Sequence, residues 1–137
     1  LLAAEKILEN IDNIFDGKAV FKEQDHSKAT YAKKIDKAEG KISWNENAKK
    51  IIGKINGLYP YPGAFFSYKG SRYKIIKAEL SNTKGEPGVI LNDNFEIGCY
   101  ESSIKVLEIQ REGKQIQKIK EFILGTQMKK GTIIKDA

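Results

Sequence analysis

The chain has 137 residues, one cysteine, one histidine and a formal net charge of +6. A lone cysteine excludes an internal disulfide, one histidine beside it is too little for a zinc site, and no apolar run reaches the length of a membrane span. Because the N-terminus also lacks the layout of a secretory signal, we expect one domain with a short appendage in a reducing cytoplasm, with no membrane partner.

The first segment predicts an amphipathic helix. Its apolar residues recur at three- and four-residue spacing, and Gly17 stands where a C-terminal cap belongs. The stripe needs a packing partner, because an isolated helix this short is marginal in water. The chain opens inside this pattern, so we interpret its N-terminus as a truncation point. The stripe consists of Leu1, Ala4, Leu8, Ile11 and Phe15.

Residues 18–41 are polar and predict a linker, after which a second helix is expected. The run Ser43-Trp44-Asn45-Glu46 has the form of a capping box, and Gly57 followed by Pro60 and Pro62 predicts the end of the helix. Its inward face would carry Ala48, Ile51, Ile52 and Ile55.

Beyond Pro62 the period changes to that of strands. We predict a mainly β fold with two or three short helices: a small, partly open OB-like antiparallel barrel preceded by a helix and a linker. The expected elements are a hairpin of Phe65–Tyr68 and Arg72–Leu80 around Lys69-Gly70, a second hairpin of Val89–Leu91 and Phe95–Cys99, a strand at Ile104–Ile109, a helix from about Gln117 to Gly125, and a strand at Thr132–Ile134. The inward residues of that helix would be Ile116, Ile119, Phe122 and Ile123.

Catalytic chemistry finds little support in these residues. His26 lies in the polar linker, where no rigid scaffold would hold a general base. Cys99 lies on the apolar side of a strand together with Phe95 and Ile97, which favours a buried structural thiol. Neither phosphate-cradling glycine pattern occurs. We therefore predict no catalytic, cofactor-binding or metal-binding residue in this chain.

Nucleic-acid binding is better supported, because the charge is unevenly placed. Residues 1–27 hold six acids and three lysines, whereas residues 28–137 hold 21 Lys and Arg against 12 Asp and Glu, a balance of +9. From Tyr59 to Lys77, aromatic and basic residues alternate, which predicts a binding face that includes Arg72 and Lys74. Strands favour aromatic residues in any case, and Phe65 with one neighbour is expected in the core.

Two points of geometry remain open at this stage. Lys74 and Lys77 have opposite strand parity, so they share a face only if a bulge intervenes. Arg111 and Lys114, in the run Gln110-Arg111-Glu112-Gly113-Lys114, could lie beside a helix N-terminus and bind a phosphate, or form an ordinary solvated turn.

Several stretches resemble the C-terminal domain of the methionyl-tRNA formyltransferases. The resemblance covers residues 28–137, and residues 1–22 resemble the last helix of the family's catalytic domain. The matching stretches are Ala29-Thr30-Tyr31-Ala32-Lys33-Lys34-Ile35, Glu39-Gly40-Lys41-Ile42-Ser43-Trp44, Ile55-Asn56-Gly57-Leu58-Tyr59-Pro60-Tyr61-Pro62-Gly63-Ala64-Phe65, Leu107 to Lys114, Glu121-Phe122-Ile123-Leu124-Gly125 and Gly131-Thr132-Ile133-Ile134.

This resemblance implies that residues 1–27 are the end of a truncated catalytic domain and its linker, and that residues 28–137 form an OB-like tRNA-binding domain. The family transfers a formyl group from 10-formyltetrahydrofolate, its cosubstrate, to methionyl initiator tRNA in translation initiation. Its catalytic Asn, His and Asp belong to the N-terminal domain and are not in this chain. The implied partners are initiator tRNA and the chain's own N-terminal catalytic domain, in a monomer.

Carried over by motif position, Lys34, Lys41 and Lys114 are the leading tRNA contacts, joined by Arg72, Lys74 and Arg111 from the residue patterns above. The resemblance makes five further residues structural: Trp44, Pro60, Pro62, Gly63 and Gly125.

The chain departs from the family's pattern in three places. Asn56 replaces a usual arginine, Tyr61 a common tryptophan, and the usual helix start near Gln117 is changed. Two alternatives stay open: a positioning or interaction domain of a sugar or folate-linked formyltransferase, and a free-standing OB-type module for nucleic acid.

Overall fold

The computed structural model describes residues 2–134, and its contacts divide the chain into two compact units, residues 1–33 and 34–137. The first unit contains α1 (Leu2–Phe15), none of whose residues is buried. Gly17 has φ +68°, and the Lys18 and Gly17 amides donate to the carbonyls of Asn13 and Ile14. The predicted helix and its glycine cap are confirmed, and Leu1 lies outside the described residues.

The second unit is mainly antiparallel β-sheet with short helices, as predicted. The strand order is β1-β2-β4-β3, with β5 also pairing with β4. In the part of the chain that the structure describes, β1 and β3 do not pair with each other, so the sheet stays open. The elements are α2 (Ala48–Gly57), β1 (Ala64–Tyr68), β2 (Ser71–Ser81), β3 (Glu96–Gly98), β4 (Ser103–Arg111), β5 (Ile116–Lys118) and α3 (Ile119–Gly125).

The first hairpin has the predicted turn. Tyr68 pairs with Ser71, and the two residues between them both have positive φ, 46° for Lys69 and 74° for Gly70. A two-residue turn with both residues left-handed matches the right-handed twist of the flanking strands, which is why it fixes this register.

The second hairpin and the final strand are present in shortened form. Ile90 pairs with Ile97 through a single bridge, and the Leu91 amide donates to the Glu96 carbonyl at 2.7 Å. At the chain's end, Ile133 bridges to Val89 in antiparallel orientation instead of forming a longer strand.

Two helix starts differ from the sequence prediction. α2 begins at Ala48, and the Asn47 side chain, not that of Ser43, accepts from the Lys49 amide. The S-x-x-E run is instead a turn, in which the Glu46 amide donates to the Ser43 carbonyl. The only capping box that the described helices carry lies earlier in the chain, where Asp36 and Glu39 cap the 3-10 turn Lys37–Gly40.

α3 begins at Ile119, two residues later than predicted. Gln117 pairs with Ile109 and Ile116 pairs with Gln110, so these residues form a strand beside β4. As a result, Ile116 is exposed and does not point inward. Ile119 and Phe122 are buried as predicted. Pairing with an existing strand edge outweighs the helical spacing of the apolar residues.

The core lies between the two helices and one face of the sheet, here called the inner face. Phe66 stacks on Tyr73 at 5.5 Å between ring centroids, and Trp44 and Phe122 contact that pair. The buried side of α2 consists of Ala48, Ile51 and Ile55, as predicted, with Ile52 partly buried against it. This packing anchors β2 and β4 through the inner face, and the opposite, outer face carries the charged residues of these two strands except Arg111.

Candidate nucleic-acid interface

The outer face of β2 and β4 is a ladder of polar cross-strand pairs. Lys77 lies opposite Glu108, and Glu79 lies opposite Lys105 with an ion pair of 3.2 Å. Toward the first hairpin the positive charge is no longer balanced by a carboxylate across the strands, because Lys74 lies opposite the neutral Gln110. The charge of the outer face is therefore balanced at one end and positive at the other.

A bulge brings two lysines of this face together. The register of β2 against β4 shifts between Ile75 and Lys77 and again before Ala78, and both Ile75 and Ala78 pack toward the core. Because two inward residues are three positions apart, Lys74 and Lys77 both point outward. The bulge that Lys74 and Lys77 need in order to share a face is therefore present.

The positive end of the outer face forms a cleft of about 250 Å³, here called the outer cleft. Its basic lining residues are Lys37, Arg72 and Lys74, and its one acidic lining residue is Glu112. The Arg72 guanidinium lies over the Phe65 ring, 4.3 Å from its centroid. Phe65 was expected in the core, but the core contains its neighbour Phe66, and Phe65 is buried on the opposite side of the strand.

Glycines shape the floor of the outer cleft. A methyl group on Gly40 would approach the Phe65 ring to 3.3 Å and the Gly63 carbonyl oxygen to 2.3 Å. Gly63 has φ +80°, and a methyl group there would lie 3.1 Å from Cδ of Lys74. Both positions need glycine for close approach, which gives the predicted structural role of Gly63 a physical cause.

Of the other residues predicted to be structural, Trp44 and Pro62 are buried, and Gly125 is the last residue of α3. Pro60 is exposed beyond the end of α2, where it cannot continue the helix.

Lys34 and Lys41 lie near the start of the second unit and are both exposed. Lys41 pairs with Phe65 through a bridge, and its carbonyl accepts a hydrogen bond of 3.0 Å from Lys54 Nζ. Its backbone is thus fixed beside β1. Lys34 precedes the Asp36-capped turn and lines neither of the clefts described here.

Arg111 and Lys114 line a second, larger cleft of about 720 Å³, here called the inner cleft. Arg111 lies opposite Tyr73 in the sheet, so it shares the inner face, and its Nη2 donates to Ser71 Oγ at 3.1 Å. The strand β5 separates these residues from α3 along the chain, so of the two arrangements that the sequence left open, the turn is the one observed. Lys114 instead belongs to the β4–β5 turn, where its amide donates to the Arg111 carbonyl.

The six predicted contacts therefore do not form one cluster. Arg72 and Lys74 belong to the outer cleft, Arg111 and Lys114 to the inner cleft, and Lys34 and Lys41 to neither. Within residues 2–134, none of the six takes part in an ion pair. Unpaired basic groups on a rigid sheet are free to contact a polyanion.

Lys37 was not predicted, and Lys69 and Tyr61, which belong to the aromatic and basic run Tyr59–Lys77, were not among the six predicted contacts. Lys69 lines the inner cleft, and its Nζ donates to Gln127 Oε1 at 3.0 Å, while Lys37 and Tyr61 line the outer cleft. Lys37 follows Lys34 by three residues, a spacing that could have signalled it.

Catalytic geometry is lacking in the described part of the chain. Cys99 is 1% exposed, and burial raises the pKa of its thiol to about 11, so it is protonated and unreactive at neutral pH. His26 is exposed in the predicted linker. The described residues contain no group of three potential metal ligands and no helix long and apolar enough to span a membrane.

Comparison with known proteins agrees on the family. Residues 34–127 match the family model described as formyl transferase, C-terminal domain. Over 135 residues the chain is 59% identical to a methionyl-tRNA formyltransferase of Pelagibacter ubique, covering 98% of this chain and 44% of that protein. The corresponding proteins of Rickettsia prowazekii and Rhodopseudomonas palustris are 43% and 38% identical, with 95% and 91% of this chain and 42% of each relative covered.

The chain thus spans less than half the length of these curated relatives. Among solved structures, HypX from Aquifex aeolicus in complex with tetrahydrofolic acid aligns with a TM-score of 0.67 over 96% of this chain and 24% of that one. Its sequence identity of 20% supports a shared fold alone. From the matched family model, the chain belongs to the formyl transferase C-terminal domain family.

Proposed function

We propose that this chain is the tRNA-binding part of a methionyl-tRNA formyltransferase. It would hold initiator methionyl-tRNA while a catalytic domain N-terminal to it transfers the formyl group from 10-formyltetrahydrofolate. Residues 1–27 would be the end of that domain and its linker, and residues 28–137 the tRNA-binding domain, acting in the cytoplasm as part of a monomer. The names of the relatives and the share of their length that the chain covers support this assignment.

The observation that carries the proposal is the set of unpaired basic residues on a rigid sheet. Each of the two clefts is lined by three basic residues and one acidic residue: Lys37, Arg72 and Lys74 with Glu112, and Lys69, Arg111 and Lys114 with Glu121. Such groups neutralise RNA phosphates and release condensed counterions, which makes binding depend on salt.

The first test is the salt dependence of tRNA binding, measured by fluorescence anisotropy with labelled initiator tRNA. Contacts to about six phosphates would give a slope near −5 in a plot of log affinity against log salt concentration. A slope near zero would contradict the proposal and favour a positioning domain of a sugar or folate-linked formyltransferase.

The second test compares the clefts. Arg72→Gln/Lys74→Gln and Arg111→Gln/Lys114→Gln should each reduce the salt slope by about two, because each variant removes two phosphate contacts. Lys18→Gln/Lys28→Gln is the matched control, since it changes the net charge equally but removes lysines already paired with Asp16 and Asp25. An equal effect in the control would mean that net charge alone attracts the tRNA, and it would contradict a role for these particular residues.

Lys114 provides a third test, because it is exposed in a turn and lines the inner cleft. Lys114→Ala should weaken tRNA binding and leave the thermal unfolding midpoint unchanged. If both fell together, the role of Lys114 would be structural.

A further inference from the structure

Arg72 has an unusual environment for an exposed arginine. Its guanidinium lies 4.3 Å from the centroid of the Phe65 ring, and within the described residues it takes part in no ion pair. Glu112 lines the same cleft, and its amide donates to the Arg72 carbonyl, but the two side chains form no ion pair. The cation thus lies against an aromatic ring and also lines the cleft.

The ring beneath Arg72 is itself held in place. Phe65 is 8% exposed, contacts Gly40, and accepts a hydrogen bond of 2.8 Å from the Ile42 amide through its carbonyl. A planar guanidinium resting on a fixed ring loses little conformational freedom when a second planar group stacks on it. Arg72 is therefore preorganised as a stacking surface and not only as a positive charge.

The rest of the outer cleft suits a single nucleotide. Tyr61 lines the cleft and is 65% exposed, so its ring is available for a further contact. Lys37 and Lys74 add two ammonium groups, and the Lys74 stem lies near Gly63. A volume of about 250 Å³ is below the range typical of sites for drug-sized ligands and fits one planar ring with its flanking phosphate.

We infer that the outer cleft binds one unpaired nucleotide of the RNA, with the base stacked on the Arg72 guanidinium and the phosphates held by Lys37 and Lys74. This inference rests on the proposed function and specifies it: a base inside a duplex stays stacked on its neighbours, so this site selects single-stranded or splayed nucleotides. The inner cleft differs, because Arg111 donates to Ser71 Oγ and no cation–ring contact is recorded for it among the described residues. In the inner cleft the cation–ring contact is that of Lys69, whose Nζ lies 5.6 Å from the Tyr68 centroid, and an ammonium group has no planar face for a base, so we expect this cleft to hold phosphates.

The test separates stacking from charge with two probes and two matched variants. The probes are a single-stranded uridine decamer and a decamer with the same ribose-phosphate backbone but no bases. The variants are Arg72→Lys and Arg111→Lys, which both keep the positive charge and remove the planar cation. Affinities for both probes and for initiator tRNA are measured at one salt concentration, and thermal unfolding checks that each variant is folded.

We expect the wild-type chain to bind the uridine decamer at least fivefold more tightly than the abasic one. Arg72→Lys should bring that ratio close to one, whereas Arg111→Lys should leave it unchanged. Tyr61→Ala, a second variant at an exposed position, should reduce the ratio at least twofold.

A wild-type ratio near one, an unchanged ratio in Arg72→Lys, or tRNA binding without decamer binding would each overturn the inference and leave the proposed function standing. Failure to bind tRNA, with base-dependent decamer binding intact, would refute the proposed function alone. Binding of neither RNA would refute both.

Discussion

Phe65 and Phe66 are neighbours in one strand and are both buried, yet they have different partners. Phe66, 2% exposed, stacks on Tyr73 and contacts Trp44 in the core. Phe65, 8% exposed, lies on the outer face beneath Arg72. The difference teaches that the burial of an aromatic residue does not by itself reveal its role, because one face of this sheet holds the fold together and the other presents charge.

The two faces of the sheet also differ at β3 and the residue that follows it. Cys99 packs in the core, whereas Glu96 lies opposite Lys105 on the charged face and accepts a hydrogen bond of 2.9 Å from Ser81. The buried part of the inner face contains only uncharged groups, whereas the outer face tolerates a nearly buried carboxylate because hydrogen-bond donors surround it.

The largest expected effect is that of Phe66→Ala. Removing the ring from the core should lower the free energy of unfolding by about 3–5 kcal/mol, because a cavity remains where Phe66 contacted Tyr73 and Trp44. Phe65→Ala should cost less, since its ring lies beneath the exposed Arg72 side chain and outside the core, and should instead abolish the base-dependent part of RNA binding. Urea denaturation measures both, and an equal loss would contradict the division of roles.

The Gly40→Ala substitution tests the close approach of Gly40 to the Gly63 carbonyl beneath the outer cleft. The new methyl group would approach the Gly63 carbonyl oxygen to 2.3 Å, and because that atom belongs to the backbone, we expect a loss of about 1–3 kcal/mol. Gly53→Ala is the matched control: it lies within α2, nothing lies within 4 Å of its added methyl group, and it should gain about 0.5–1 kcal/mol. Similar behaviour of the two variants in thermal denaturation would contradict the close approach.

The pH dependence of the free energy of unfolding tests the burial of Cys99 on the inner face. Burial raises the pKa of its thiol from 9.0 to about 11, so the unfolded chain loses this proton more readily than the folded chain. The associated stability is present below pH 9 and is lost as the pH rises toward 11, by roughly 2 kcal/mol. Unfolding measured from pH 8 to 11 should show a decrease that is smaller in Cys99→Ala, and identical pH profiles would place the thiol in contact with water.

The smallest expected effect concerns Glu96 on the outer face. A hydrogen bond from Thr83 lowers the pKa of Glu96, opposed by burial and supported by Ser81, Asn92 and the charge of Lys105. Since the folded pKa lies below the ordinary value, this carboxylate contributes stability above that value and loses it as the pH falls. The loss on acidification should be smaller in Glu96→Gln than in the wild-type chain, as followed by thermal denaturation at pH 3–6. A steeper loss in the variant would contradict the assignment.

Sequence reasoning failed where a tertiary contact competed with a local pattern. Ser43 and Glu46 have capping-box spacing, but Trp44 between them is buried in the core, and its carbonyl accepts from the Tyr100 amide, so the helix begins later. Ile116 fits a helical stripe, but β4 pairs with it as a strand. A local pattern indicates a helix or a strand, but where both are possible, the contacts made in the tertiary structure determine which one forms.

What the sequence determined by itself was most of the elements, the excess of basic residues and the family, because apolar periodicity, charge and motif spacing are properties of the chain alone. Only the tertiary structure decided which basic residues share a surface. Tyr73 pairs with Arg111, so Arg111 shares the inner face, while Arg72, one residue away, lies on the other. Successive strand residues point in opposite directions, and a register fixed by a turn and a bulge therefore divides basic residues that the sequence places close together.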